Sequence, residues 1–86
     1  MKIQIVYTGR SYQIAERLPS EIDLSDGAKL DDALHAVNQL LSDDEQLPPS
    51  CLISVAGSHV GTLASHEDQS LKDGDELVLI APVAGG

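Results

Sequence analysis

The sequence predicts a single α+β domain in which a mixed sheet of four to five strands packs on one main helix. Three observations carry this expectation. A sustained 3.6-residue apolar repeat occurs once, at Leu30, Ala33, Leu34, Val37, Leu40 and Leu41, and builds one continuous stripe. Short runs with strand-like patterns and turn residues at their ends flank it on both sides. At 86 residues the chain is too short for a second core and buries only roughly 60–65% of its unfolded surface.

Strand one is expected over Lys2 to Thr8, where Ile3, Ile5 and Tyr7 share one side of a period-two pattern. Gly9 to Leu18 reads as a connector; Ile14, Ala15 and Leu18 offer one short helical turn at most, and Pro19 disfavours helical backbone at Leu18. Glu21 to Ser25 alternates polar and apolar residues and ends at the turn dipeptide Asp26-Gly27, giving a second strand that pairs with the first as a hairpin. The helix follows, with Asp31 and Asp32 in its first turn, where the macrodipole favours carboxylates. It should stop near Ser42, because Asp43, Asp44 and Glu45 would oppose the negative end and Pro48-Pro49 cannot continue a helix. Strand three is expected over Cys51 to Ala56, and a weak strand four at His59-Val60 after a turn at Gly57-Ser58. Asp73-Gly74 turns the chain into Glu76 to Ala81, apolar nearly throughout, which marks a central strand with the helix over one face.

Composition excludes several function classes. Five Lys and Arg against 14 Asp and Glu give a net charge of −9, a field that repels phosphate backbones and anionic lipid, so no nucleic acid and no membrane partner is expected. The only aromatic residues, Tyr7 and Tyr12, make no base-stacking platform. No run of about 18 apolar residues exists to span a membrane, and the N-terminus lacks the apolar stretch of a signal peptide. A single cysteine, Cys51, excludes an internal disulfide framework and fits a reducing compartment, so a cytoplasmic protein is expected.

The side chains offer little chemistry of their own. His35, His59 and His66 lack metal-ligand spacing and read as ordinary structural histidines, so no metal site is expected. Cys51 opens an apolar strand and reads as a small buried residue, since a reactive thiolate needs a cationic or helix-terminal setting. The pairs Asp31-Asp32, Asp43-Asp44 and Asp73-Asp75 read as solvated surface, with docking onto a basic partner as their functional option. Asp73-Gly74-Asp75 lacks the further ligands of a calcium loop. Neither a phosphate loop nor a dinucleotide fingerprint is present, so no bound cofactor is expected.

The C-terminus is different. Pro82-Val83-Ala84-Gly85-Gly86 follows directly on the best-defined strand, and five extended residues reach roughly 17 Å. A glycine pair has no Cβ and can thread a narrow channel. A carboxylate is a poor acyl donor, so chemistry at Gly86 requires activation, with ATP, by another protein. The expected organisation is a domain over residues 1–82 and a flexible tail over 83–86.

The run from Leu71 to Gly86 resembles the end of the MoaD/ThiS ubiquitin-like sulfur-carrier family. Met1 to Tyr7 looks like that family's first strand, Ser25-Asp26-Gly27-Ala28 like its helix entry, and Ser54 to Val60 like its central hairpin. Pro82-Val83-Ala84-Gly85-Gly86 is closer to the MoaD branch than to ThiS. The resemblance implies a β-grasp fold and a cycle in which a MoeB-like enzyme adenylates Gly86 and a sulfur donor enzyme converts it to a thiocarboxylate. The tail then enters a MoaE-like large subunit of molybdopterin synthase and gives sulfur to cyclic pyranopterin monophosphate in molybdenum cofactor biosynthesis. On this view the chain is a non-catalytic sulfur-donor subunit. Gly86 carries the atom, Pro82, Val83, Ala84 and Gly85 contact the partner, and the face of strands three to five docks. Three alternatives stay open: a carrier for thiamine thiazole or a sulfur amino acid, a protein modifier conjugated through Gly86, and an interaction module with an inert tail. The chain departs from the family pattern at Lys29, where a Ser or Thr helix cap is usual and Ser25 or Asp26 would have to substitute, at Ala56, where the hairpin often carries Asn, and at Ile80-Ala81 before the tail.

Overall fold

The computed structural model describes residues 1–9, 12–43 and 46–81, with only the backbone described at Tyr12 and Gln13. Among these residues the elements run β1 (Lys2–Thr8), α1 (Tyr12–Arg17), β2 (Glu21–Asp23), α2 (Leu30–Gln39), β3 (Leu52–Val55), β4 (Ser58–Thr62) and β5 (Glu76–Ile80). The strands form one mixed sheet in the order β2-β1-β5-β3-β4, with β1 and β5 parallel and the other neighbours antiparallel.

Strand alternation decides what the sheet buries. Ile3 and Ile5 of β1, Leu77 and Leu79 of β5, and Ile53 and Val55 of β3 face the core, where they meet Leu30, Ala33, Leu34 and Val37 of α2. Each full burial of such a side chain is worth about 1.5–3 kcal/mol. β5 is central, as its apolar run predicts, with β1 on one side and β3 on the other. The Lys72–Asp75 turn sets its register: Gly74 N–H donates to the Lys2 carbonyl at 2.7 Å and Lys2 N–H to Asp73 Oδ1 at 2.7 Å. The turn thereby grips the start of β1 and launches β5 beside it.

Four local expectations are corrected. The connector after β1 contains a true helix, α1, which contributes buried Ile14 to the core. A six-residue helix has little stability alone, so its apolar pattern is too short to read and tertiary packing supports it. β2 ends at Asp23, two residues before the expected end. α2 ends at Gln39 instead of near Ser42; Leu40 N–H bonds to the Val37 carbonyl and Leu41 N–H to that of Asn38, tightening the last turn. That turn leaves Leu40 exposed while Leu41 stays buried, so the predicted stripe breaks at Leu40. Finally, β4 is longer than His59-Val60 because a bulge lets it pair with β3 from Ser58 to Thr62: Ser54 faces His59, yet Ile53 faces Gly61.

The cap of α2 also differs from expectation. Lys29, not Ser25 or Asp26, is the N-cap residue, and a lysine side chain has no acceptor to offer. The first helical N–H groups are met from elsewhere: Leu30 N–H donates to the Gln69 carbonyl at 2.8 Å and Asp31 N–H to Asp68 Oδ1 at 3.0 Å. Asp32 Oδ2 accepts from Lys29 N–H at 2.8 Å, which is half of a capping box. No helix among the described residues is long and apolar enough to cross a membrane.

Candidate functional site

Pro82, Val83, Ala84, Gly85 and Gly86, the expected tail, lie outside the described residues, as does the domain boundary at residue 82. What the structure describes is the root of that tail and the surface around it. β1 and β5 run parallel from Gln4 beside Glu76 to Thr8 beside Ile80, and Ala81 N–H adds a last rung to the Thr8 carbonyl at 2.8 Å. The chain therefore reaches residue 82 from the middle of the sheet.

The face of the sheet away from α2 is apolar around this root. Alternation turns Val6, Val78, Ile80 and Leu52 outward, and Val6 is 39%, Ile80 36% and Leu52 36% exposed. Val78 stands opposite both Val6 and Ser54, while Ile80 stands opposite both Thr8 and Leu52, with Thr62 beyond Leu52. Neighbouring strands are about 4.8 Å apart, so the four apolar side chains form one patch across β1, β5 and β3. Thr8, Ser54 and Thr62 rim it with hydroxyl groups. Isolated exposed apolar residues are ordinary on a protein surface, and this small contiguous cluster beside the root of the tail is a candidate contact surface. Val6 and Leu52 were not singled out from the sequence, although an apolar residue out of phase with Ile3, Ile5 and Tyr7 is the signal that finds Val6.

Several of the other candidate groups have structural work, while Asp44 lies outside the described residues. Cys51 is fully buried, and desolvation pushes its thiol up from the ordinary value, away from reactivity. Asp73 accepts from Lys2 N–H, Asp75 from Lys72 N–H at 2.8 Å, Asp32 from Lys29 N–H, and Asp31 pairs with His66. His35 bonds to Gln39 along α2. Among the described residues no group of three or more His, Cys, Asp and Glu gathers as metal ligands. An open depression is lined by Leu24 to Ala28 and Asp32, with the carboxylates of Asp26 and Asp32 on its wall.

Comparison with known proteins bears on the family and the fold. Residues 5–86 match the ThiS family, from β1 through the terminal diglycine. The chain belongs to the ThiS family. A curated relative, the molybdopterin synthase sulfur carrier subunit of Chlamydomonas reinhardtii, is 27% identical over 86 residues, all of both chains. Among solved structures, SAMP1 from Haloferax volcanii superposes with a TM-score of 0.68 at 23% identity, covering all of both chains. A chain from the complex of subunits 1 and 2 of the Helicobacter pylori molybdopterin-converting factor superposes with a TM-score of 0.56 at 21% identity, again over all of both chains. These likenesses agree with the β-grasp, ubiquitin-like architecture expected of a ThiS family member.

Proposed function

We propose that this chain is a sulfur carrier, the small subunit of a cytoplasmic molybdopterin synthase. The observation that carries the reading is a central strand, β5, that ends in an outward apolar patch at Ile80 and leads straight into a sequence closing on Gly85-Gly86. The end-to-end match to a relative named as a molybdopterin synthase sulfur carrier subunit supports the choice of pathway.

In this reading the patch docks the domain and the tail carries the chemistry. A MoeB-like enzyme joins the Gly86 carboxylate to ATP as an acyl adenylate and releases pyrophosphate. A sulfide-level nucleophile from a sulfur donor enzyme then displaces AMP, leaving a thiocarboxylate. The tail, through Pro82, Val83, Ala84 and Gly85, enters a MoaE-like large subunit, where the sulfur bonds to a side-chain carbon of cyclic pyranopterin monophosphate as an oxygen leaving group departs from that carbon, and water then cleaves the acyl–sulfur bond, leaving the sulfur on the pterin and returning Gly86 as the carboxylate. Sulfur is softer and more nucleophilic than the oxygen it replaces, and docking supplies proximity. The small subunit contributes no catalytic side chain; the active site belongs to its partner.

The test is intact mass spectrometry of the full chain after incubation with ATP, a MoeB-like enzyme and a sulfur source. Replacement of one oxygen by sulfur, mapped to Gly86 and followed by product formation with a MoaE-like subunit, is the expected result. High-mass conjugates through Gly86 instead would identify a protein modifier, and an unmodified terminus with cognate enzymes would sink the carrier reading.

A further inference from the structure

The outward face of the sheet carries charge as well as its apolar patch, and the two are separated along the strands. The rows nearest the tail are apolar around Ile80 and Val78. The next row away from the tail is polar, with Gln4 of β1 standing between Glu21 of β2 and Glu76 of β5. Glu76 shares its face with Val78 and Ile80, because Leu77 and Leu79 between them point into the core.

The two carboxylates of that row differ in their partners. Glu21 is engaged twice, by Gln4 Nε2 at 2.9 Å and by Lys2 Nζ at 3.7 Å. Glu76 is exposed, and its carboxylate has neither a hydrogen bond nor an ion pair among the described residues. Lys2, the lysine of this face, already stands beside Glu21. The negative charge left over therefore sits at Glu76, on the strand that leads to the tail.

Distance decides what a docked partner must do with it. A strand rises about 3.3 Å per residue, which places Glu76 about 7 Å from Val78 and about 13 Å from Ile80. A stable protein contact covers about 800 Å² on each partner, a disc of about 16 Å radius. A partner seated on the patch thus covers Glu76 too, and a carboxylate stripped of water with no counter-ion opposes binding.

We infer that the large subunit presents an arginine or lysine to Glu76, and that this pair sets the orientation of the domain on its partner. This rests on the carrier reading above, from which the docking of the patch is taken. Apolar contact is non-directional and leaves the domain free to turn about the patch. A charge pair offset from it along β5 stops that rotation and rejects surfaces that are neutral or acidic at the same place.

The experiment measures binding kinetics of the full-length chain with a MoaE-like subunit, comparing wild type with Glu76→Gln, Glu76→Lys and Glu67→Lys. Glu67 is exposed in the loop after β4, next to the His66 that bonds to α2 on the opposite side of the sheet, so its reversal changes net charge equally, away from this face. All three variants replace exposed side chains and should melt as wild type does. Glu76→Gln should weaken binding about tenfold and Glu76→Lys about a hundredfold, whereas Glu67→Lys should change it less than about threefold. Raising KCl from about 0.05 M to about 0.5 M should slow wild-type association, and slow it less steeply in Glu76→Gln. Reversing the cognate cation of the partner should recover binding of Glu76→Lys. A Glu76→Gln chain that binds with wild-type Kd, or a Glu67→Lys chain weakened as much as Glu76→Lys, overturns the inference and leaves the carrier reading standing. A wild-type chain that does not bind the large subunit overturns that reading, and the inference falls with it.

Discussion

His66 Nε2 lies 2.6 Å from Asp31 Oδ1, joining the loop after β4 to the first turn of α2. Its other ring nitrogen, Nδ1, lies 2.8 Å from the Thr62 carbonyl oxygen. A carbonyl and an ionised carboxylate only accept, so an imidazole can donate to both only when it carries a proton on each nitrogen. The structure is therefore built for the cationic form of His66. Its side chain is 12% exposed, close enough to solvent to exchange that proton.

This geometry predicts a pH dependence with a definite sign. The hydrogen bond to Asp31 is the main cause that raises the His66 pKa above its ordinary value of 6.5, with burial pulling the other way and the Thr62 carbonyl adding to the rise. A pKa higher in the folded than in the unfolded chain means that the stabilisation is fully present below the unfolded value and lost as pH rises through the folded one. An imidazole titration by NMR should find a His66 midpoint above 6.5. Urea unfolding midpoints should fall across the same interval and become flat there in His66→Gln; a fall that persists in the variant would assign it to another group.

The β3–β4 turn predicts a gain in stability. Ala56 has φ 50° and Gly57 φ 85°, the pair of positive values that a two-residue hairpin turn requires. An L-residue with a side chain loses roughly 1–2 kcal/mol in that region, and Asn tolerates it better than Ala. Ala56→Asn should therefore stabilise the domain by about 1 kcal/mol, raising Tm by about 4–8 °C. A melt at or below the wild-type temperature would show that the turn is unstrained.

What the sequence made legible follows from where the signals are local. β1 is bounded as its alternation predicts, α2 begins where its stripe begins, and β5 is central because Leu77, Val78, Leu79 and Ile80 leave no polar face. α1 was hidden because six residues hold too little periodicity, and β4 because a bulge with Gly61 interrupts its alternation. The loop closes tightly over that bulge: at φ 133°, Gly61 leaves His66 Cα only 3.0 Å from where a Cβ would stand. The apolar patch was only partly readable, since exposure of Val6 and Leu52 depends on which face α2 covers. The partners that cap α2 were unreadable, because Asp68 lies 37 residues beyond Asp31.

That distant cap is itself testable. Asp68 Oδ1 accepts from Asp31 N–H and from its own neighbour Gln69 N–H, both at 3.0 Å, while Lys29 at the N-cap position offers no acceptor. Asp68→Ala should cost about 1 kcal/mol, the usual loss for a removed helix cap. Asp31 also holds His66, so Asp68→Ala and His66→Gln should not combine additively in a double-mutant cycle. Strict additivity in urea unfolding would mean that the two contacts at Asp31 act independently.

Adjacent residues on β5 should part ways when each is made acidic. Leu79 is completely buried beneath α2, and Ile80, one position on, faces outward in the patch with Leu52. Leu79→Asp places an unpaired carboxylate in an apolar core, a loss of several kcal/mol in a domain whose whole stability is about 5–15 kcal/mol, and should abolish cooperative unfolding. Ile80→Asp exposes its charge to water and should shift stability by no more than about 0.5 kcal/mol. It should nonetheless weaken binding to a MoaE-like subunit at least about tenfold, since a carboxylate would be desolvated at the centre of the contact. Titration calorimetry on Ile80→Asp, alongside its thermal melt, separates the two effects; a folded variant that binds as tightly as wild type would move the docking surface off this face of the sheet.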